Sequence, residues 1–334
     1  MAGRARDGLI LAGDIGGTKT RLGIFAPGPK RPSPLTVKTF SSRGADSLEA
    51  IVDRFLATSQ VRIARACFAV AGPVVKGRAK ITNLPWEVGE QKLKRPFRWS
   101  QVSIVNDVVA AALALPLLRA GEVKSLNKAR ARRSHAKVVV APGTGLGVAF
   151  LVCCGDHAIG MPSEAGHADF APSTPEETAL LENLRRDFPH VSIERVLGGP
   201  GLVRIYSWLR DSGRSRESAY VARMMGRMDP AEAITLAAIE RGNRLSVQAV
   251  RIYVSILGSV SGSLALTGLT TGGVYLGGGI PPKILPFLEE GTFLKAFVSK
   301  GRFRELLERI PLRVILNDRA PLLGAAAHAM KTTE

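Results

Sequence analysis

Two short glycine-rich runs constrain this chain more than any other feature. Leu9-Ile-Leu-Ala-Gly-Asp-Ile-Gly-Gly-Thr-Lys-Thr20 lies near the start, and Val138-Val-Val-Ala-Pro-Gly-Thr-Gly-Leu-Gly147 near the middle of 334 residues. Each is an apolar strand that runs into a turn of Gly and Thr and then into a second apolar strand. A turn without Cβ atoms exposes backbone N–H groups, which suits a phosphate oxygen. Two such turns, one in each half, predict two hairpins that face one polyphosphate. Two common phosphate binders do not fit. Counting from Gly13, the sixth position of a Walker A loop is Thr18 rather than Gly, although Lys19 and Thr20 fall in place. Counting from Gly143, the sixth position of a dinucleotide fingerprint is Val148, and a strand follows where that motif needs a helix.

Composition is that of a globular chain, with 46% apolar and 22% charged residues. The opening Met1-Ala-Gly-Arg-Ala-Arg-Asp7 reads as a short basic segment without a signal peptide. No charge occurs from Ile252 to Pro282, long enough to span a membrane. Its recurring Gly, Ser and Thr and the Thr270-Thr-Gly-Gly273 break instead predict a buried helix, a turn and a buried strand. The cysteines are Cys67, Cys153 and Cys154. They form no disulfide framework and suit a reducing cytoplasm. Cys153 and Cys154 beside His157 read as core cysteines next to a loop histidine, not as a metal site. Lys plus Arg outnumber acids 46 to 28, a net +18, with clusters at Lys92–Arg98 and Lys128–Lys137. The second cluster has no interleaved aromatic residue. A solvated basic surface that attracts anionic substrates is therefore the preferred reading over nucleic-acid binding.

Periodicity places a helix at Asp46–Thr58, with Leu48, Ile51, Val52 and Phe55 on one face. A strand follows at Ala66–Val75. Another runs Val102–Val105 and ends at Asn106-Asp107 ahead of a helix Val108–Leu118. The second half restarts with strand, glycine turn and strand over 137–154. Helices are expected near 175–187, 199–212, 217–226, 230–240 and 243–266. A strand Gly273–Leu276 leads to Gly277-Gly-Gly279, and Val314–Leu316 and Leu322–Met330 close the chain as strand and helix.

These motifs resemble the bacterial glucokinases of the hexokinase–actin–Hsp70 superfamily over nearly the whole length. Asp14-Ile-Gly-Gly-Thr18 resembles the first phosphate motif, Gly143-Thr-Gly-Leu-Gly147 the second, and Gly277-Gly-Gly-Ile280 the adenosine motif. Met161–Pro172 and Val191–Gly201 resemble two sugar-site segments. Lys19-Thr20 and Ala165 depart from the family's frequent Asn-Ala and Gly. Lys19 is shared with the related repressor–kinase group, whose cysteine-rich zinc motif three cysteines cannot supply, so the resemblance is to the non-zinc glucokinases. It implies an α/β fold of two domains, the actin-like ATPase (ribonuclease H-like) arrangement, with the active site in the interdomain cleft. A small domain of residues 1–110 plus 319–334 and a large one of 111–318 are expected, closing to exclude water.

The implied reaction moves the γ-phosphate of ATP to the 6-hydroxyl of glucose, giving glucose 6-phosphate. Asp107 is the implied general base, with Asn106 on the sugar. In isolation, Asn-Asp ahead of an apolar helix is an ordinary N-cap. Glu164, His167 and Glu194 are the implied sugar readers. Carboxylates can accept from neighbouring hydroxyls, and such a site rejects an analogue that lacks one. Asn83, in Thr82-Asn-Leu-Pro-Trp86, is a further sugar candidate or simply a turn residue. Gly13, Asp14, Ile15, Gly16, Gly17 and Thr18, with Gly143, Thr144 and Gly145, are expected at the phosphates, and Gly277, Gly278 and Gly279 at adenosine. Asp14 is expected to reach Mg²⁺ through water. Lys19 either adds charge near the phosphates or points outward. A homodimer without nucleic-acid or membrane partners is expected. A broader hexokinase or mannokinase, or a polyphosphate-using enzyme, is the alternative; a DNA-binding sugar sensor and a chaperone-like nucleotide switch are disfavoured.

Overall fold

The computed structural model describes residues 8–59, 61–130, 135–154, 157–213 and 215–331. Met1–Asp7, the 131–134 part of the second basic cluster, and the side chains of Cys154 and His157 lie outside the described residues. The chain forms two compact units. One comprises residues 1–119, 158–162 and 317–334; the other comprises 120–157 and 163–316.

The first unit is built on five strands: β1 (Leu9–Ile15), β2 (Lys19–Ala26), β3 (Ser33–Ser41), β4 (Ile63–Val70) and β5 (Gln101–Asn106). They lie in the order β3-β2-β1-β4-β5. The hairpin β1–β2 is antiparallel and closes at Ile15 opposite Thr20. β4 and β5 run parallel to β1. Alternation along β1 explains the layers. Leu9, Leu11 and Ile15 share a core with Leu48, Ile51, Val52 and Phe55 of the helix Leu48–Ala57. Ile10 and Ala12 pack instead with Ala110, Leu322, Ala325 and Ala326. The helices Asp107–Ala114 and Ala320–Lys331 approach so closely that a Cβ on Gly324 would strike the Ala110 carbonyl.

In the second unit, β6 (Val123–Ser125), β7 (Lys137–Pro142), β8 (Leu146–Cys154), β9 (Gly273–Leu276) and β10 (Leu312–Ile315) lie in the order β8-β7-β9-β10-β6. β7 and β8 are the second antiparallel hairpin, and β9 is parallel to β7. The uncharged stretch is a core element, as its Gly and Ser content predicts. Helix Arg244–Thr267 is long and apolar enough to cross a membrane, but 78% of its apolar window is buried in the fold. Gly258 and Gly262 on it face the carbonyls of Phe293 and Phe297, where a Cβ would clash.

Several expected boundaries move for local reasons. The helix expected from Asp46 begins at Leu48, because Ser47 is its N-cap and accepts from the Ala50 N–H. The strand expected over Ala66–Val75 is Ile63–Val70; Gly72, at φ +126°, and Pro73 end it. The helix expected to reach Leu118 stops at Ala114 and passes into a 3-10 turn, Leu115–Leu117, at Pro116. The late strand is Leu312–Ile315 and the final helix Ala320–Lys331. The Lys92–Arg98 cluster lies on a helix, Glu90–Phe97, that buries only Leu93, with Arg98 as its left-handed C-cap.

Candidate active site

In the first unit the three parallel strands end in line, with Ile15 opposite Val70 and Val70 opposite Asn106. The carboxyl edge of such strands is where α/β sheets collect functional groups, and the predicted residues gather there. The first glycine turn is clamped from within the unit. Gly16 donates to the Lys19 carbonyl, and the buried Ser42 hydroxyl donates to the Gly16 carbonyl at 2.8 Å. Ser42 also meets the Thr20 hydroxyl at 2.9 Å. A Cβ on Gly17 would sit 2.9 Å from the Thr82 carbonyl and 3.4 Å from Asn83 Cβ. Asn83 therefore borders the turn, held at φ +65°, a conformation that Asn tolerates.

The Asn106-Asp107 pair divides its work. Asn106, not Asp107, is the N-cap of the helix Asp107–Ala114. Its Oδ1 accepts from the N–H groups of Val108 at 2.9 Å and Val109 at 3.1 Å, while its Nδ2 donates to the Gly72 carbonyl at 3.1 Å. Asp107 is the first helical residue, and its Oδ1 accepts from Val108 N–H at 2.9 Å. Asp14 stands within electrostatic reach. Burial, reinforced by the charges of Asp107 and Asp318 and opposed by Arg21, pushes its carboxyl up to about 7. Arg21 is itself held by Asp318 at 2.8 Å. Lys19 is exposed.

In the second unit the second glycine turn is the hub. Gly199 N–H, opening the helix Gly199–Asp211, donates to the Gly143 carbonyl at 2.8 Å, and Gly277 N–H donates to Val140. Gly278 adopts φ +77°, and a Cβ there would run into the Pro142 carbonyl, so glycine is required. A groove of about 760 Å³ opens beside this junction, walled by Thr144, Pro200, Val203, Thr235, Ile280 and Lys283, with Gly279 on its edge. The two expected sugar segments lie side by side. Phe170 N–H donates to Val191, and Ile193 N–H donates to Ala168. Glu164 and His167 are exposed on the 3-10 turn region, with His167 N–H bonded to the Glu164 carbonyl. Glu194 points the other way, onto the turn: its Oε2 accepts from Leu146 N–H at 2.8 Å.

Comparison with known proteins decides the lineage. The glucokinase family model matches residues 11–332. A glucokinase of Nostoc punctiforme is 37% identical, over 97% of this chain and 99% of that protein. A glucokinase of Klebsiella pneumoniae is 36% identical, over 96% and 97%. The crystal structure of a glucokinase from an Antarctic psychrotroph matches with a TM-score of 0.86 at 30% identity, covering 97% of this chain and 99% of that one. The chain belongs to the glucokinase family.

Membership makes it a sugar kinase, a phosphotransferase with the actin-like ATPase fold. Each unit brings most of its predicted residues together, but Gly13 and Ile15 are interior: a Cβ on Gly13 would strike the Phe68 ring, and the Ile15 side chain packs in the core. Asp14, Gly16, Gly17, Thr18, Asn83, Asn106 and Asp107 share one edge of the first unit, and Gly143–Gly145, Glu194 and Gly277–Gly279 share one junction of the second. Three contributors had no sequence signal. Ser42 clamps a turn 26 residues away. Thr235 reads as an interior helix residue, and Gly72 falls inside the strand expected over Ala66–Val75. Asp229-Pro230 at the groove is legible only as a helix start, with the Asp229 side chain accepting from Glu232 N–H.

Proposed function

We propose that this member of the family phosphorylates glucose on its 6-hydroxyl with ATP as donor and Asp107 as the general base. The observation that carries this reading is the capping by Asn106. Because Asn106 satisfies the helix N-terminus, Asp107 is not needed there as the cap. Its carboxylate is fixed at the carboxyl edge of β5, where it can take a proton from a positioned hydroxyl. Asn106 then acts chiefly by holding Asp107 in place. Glu164, His167 and Glu194, with Asn83, read the sugar hydroxyls. Gly16–Thr18 and Gly143–Gly145 offer N–H groups to the phosphates, and the groove beside Gly278 receives adenosine.

Mg²⁺ fits the residues present. Among the described residues no three His, Cys, Asp or Glu side chains form a cage, and Mg²⁺ is commonly held by one or two carboxylates together with substrate phosphates. Asp14, already crowded by Asp107 and Asp318, is the carboxylate that gains most from a cation. When bound, the ion neutralises charge on the phosphate oxygens. A cytoplasmic homodimer completes the reading.

The test is a coupled assay across glucose, mannose and fructose, with ATP or polyphosphate as donor. Glucose with ATP is expected to dominate. Asp107→Ala should cut kcat by a factor of about 10²–10⁴, the range general-base catalysis contributes, while the protein stays folded by its melting curve. Near-normal turnover in that variant would remove Asp107 from its role.

A further inference from the structure

Glu194 has two oxygens and two neighbourhoods. Its helical turn, Ile193–Val196, is tied by the Ile193 N–H to the segment that carries Glu164 and His167. Its Oε2 reaches the second glycine turn, where it accepts from Leu146 N–H at 2.8 Å. The fit is tight. A Cβ on Gly145 would overlap that same oxygen, and a Cβ on Gly166 would overlap the Leu146 carbonyl. On the far side of the turn, Gly199 N–H holds the Gly143 carbonyl at 2.8 Å. The turn Gly143–Gly145 is thus gripped at one end by a helix start and at the other by one carboxylate. Gly143 and Gly145 bring no side chain of their own to define it.

We propose that Glu194 is a positioning residue for the nucleotide-binding turn, independently of any contact it makes with sugar. The inference rests on the proposed function only in taking a nucleotide as the ligand of that turn. Removing the acceptor leaves the Leu146 N–H without the bond that orders the end of the turn, whereas any oxygen at the same reach keeps it. That loss is expected to appear in nucleotide affinity, because an unheld turn must be ordered when the phosphates bind.

The experiment titrates a non-hydrolysable ATP analogue with Mg²⁺, without sugar, into the full-length protein and three variants, each checked by its melting curve. Glu194→Gln keeps an oxygen at the same reach, and its nucleotide Kd should stay within about twofold of wild type. Glu194→Ala removes the acceptor and should weaken binding about tenfold. Glu194→Asp keeps the charge but retracts it by one methylene, and should behave like Ala even if Ala is poorly folded. Rescue by Gln but not by Asp is a pattern that loss of charge alone cannot produce. Wild-type nucleotide affinity in both the Ala and Asp variants overturns the proposal. A parallel glucose titration separates the two readings. Unchanged glucose affinity in a variant that has lost nucleotide affinity would take Glu194 out of the sugar site and leave its hold on the turn standing.

Discussion

Asp14 sits where the fold does not favour a charge, and removing that charge should stabilise the ligand-free protein. The carboxyl moves from an ordinary 3.8 up to about 7, first through burial and then through repulsion from Asp107. At 1.36 kcal/mol per pH unit, that rise is worth about 4 kcal/mol between protonated and ionised forms. Asp14 is only partly buried, and solvent screening reduces the figure to about 1–2 kcal/mol. The sign follows from proton linkage. Between about pH 4 and pH 7 the folded protein keeps a proton that the unfolded chain has released, so stability is lost as pH rises through that window. Asp14→Asn removes the loss. The variant should melt about 2–8 °C above wild type at pH 8, at roughly 2–4 °C per kcal/mol. At pH 5 the penalty is only partly developed, so the gain should be smaller than at pH 8. The assay is paired thermal melts of both proteins without nucleotide, metal or sugar, from pH 5 to pH 8. Taking the difference cancels groups common to both, such as His328, whose imidazole burial pushes down. Activity should fall sharply in the same variant. A variant no more stable than wild type at pH 8, or a difference that does not change with pH, would refute the reasoning.

Substitutions at two further positions probe how Asp107 is held. Asn106→Ala removes the cap that serves Val108 and Val109 and the donor to Gly72, so it should cost about 1–2 kcal/mol in chemical denaturation and lower kcat; Asn106→Ser should recover most of the stability. Gly324→Ala should destabilise by about 1–3 kcal/mol, since its Cβ meets the Ala110 carbonyl and overpacking outweighs the helix propensity of Ala. It should also lower kcat by displacing the helix that carries Asp107. A Gly324→Ala protein that melts above wild type would show that the two helices can separate at little cost.

What the sequence made legible is the local chemistry. Both hairpins could be read because a Gly-Thr turn between apolar strands needs only neighbouring residues to define it. The residues placed at those turns lie where the strands of each unit end. At the Asn106-Asp107 pair neighbouring residues alone do not assign the roles. A cap and a candidate general base look alike one residue apart, and only the hydrogen bonds to Val108 and Val109 assign the cap to Asn106. The helix Glu90–Phe97 was legible only as charge, because it buries one side chain and carries Pro96; its apolar periodicity is too short to register. Contacts across long stretches of chain left no local trace. Ser42 supports a turn 26 residues away, and Glu194 supports one 48 residues away. In both cases a side chain substitutes for definition that glycine cannot supply. Each turn carries a backbone bond of its own, Gly16 N–H to the Lys19 carbonyl and Gly143 N–H to the Gly145 carbonyl, but a turn open enough to admit phosphate oxygens needs further fixing groups from elsewhere in the fold. That requirement explains why the turns themselves are easy to find and their supports are not. It also implies that the supports, rather than the glycines alone, determine how firmly each turn is held before its ligand arrives.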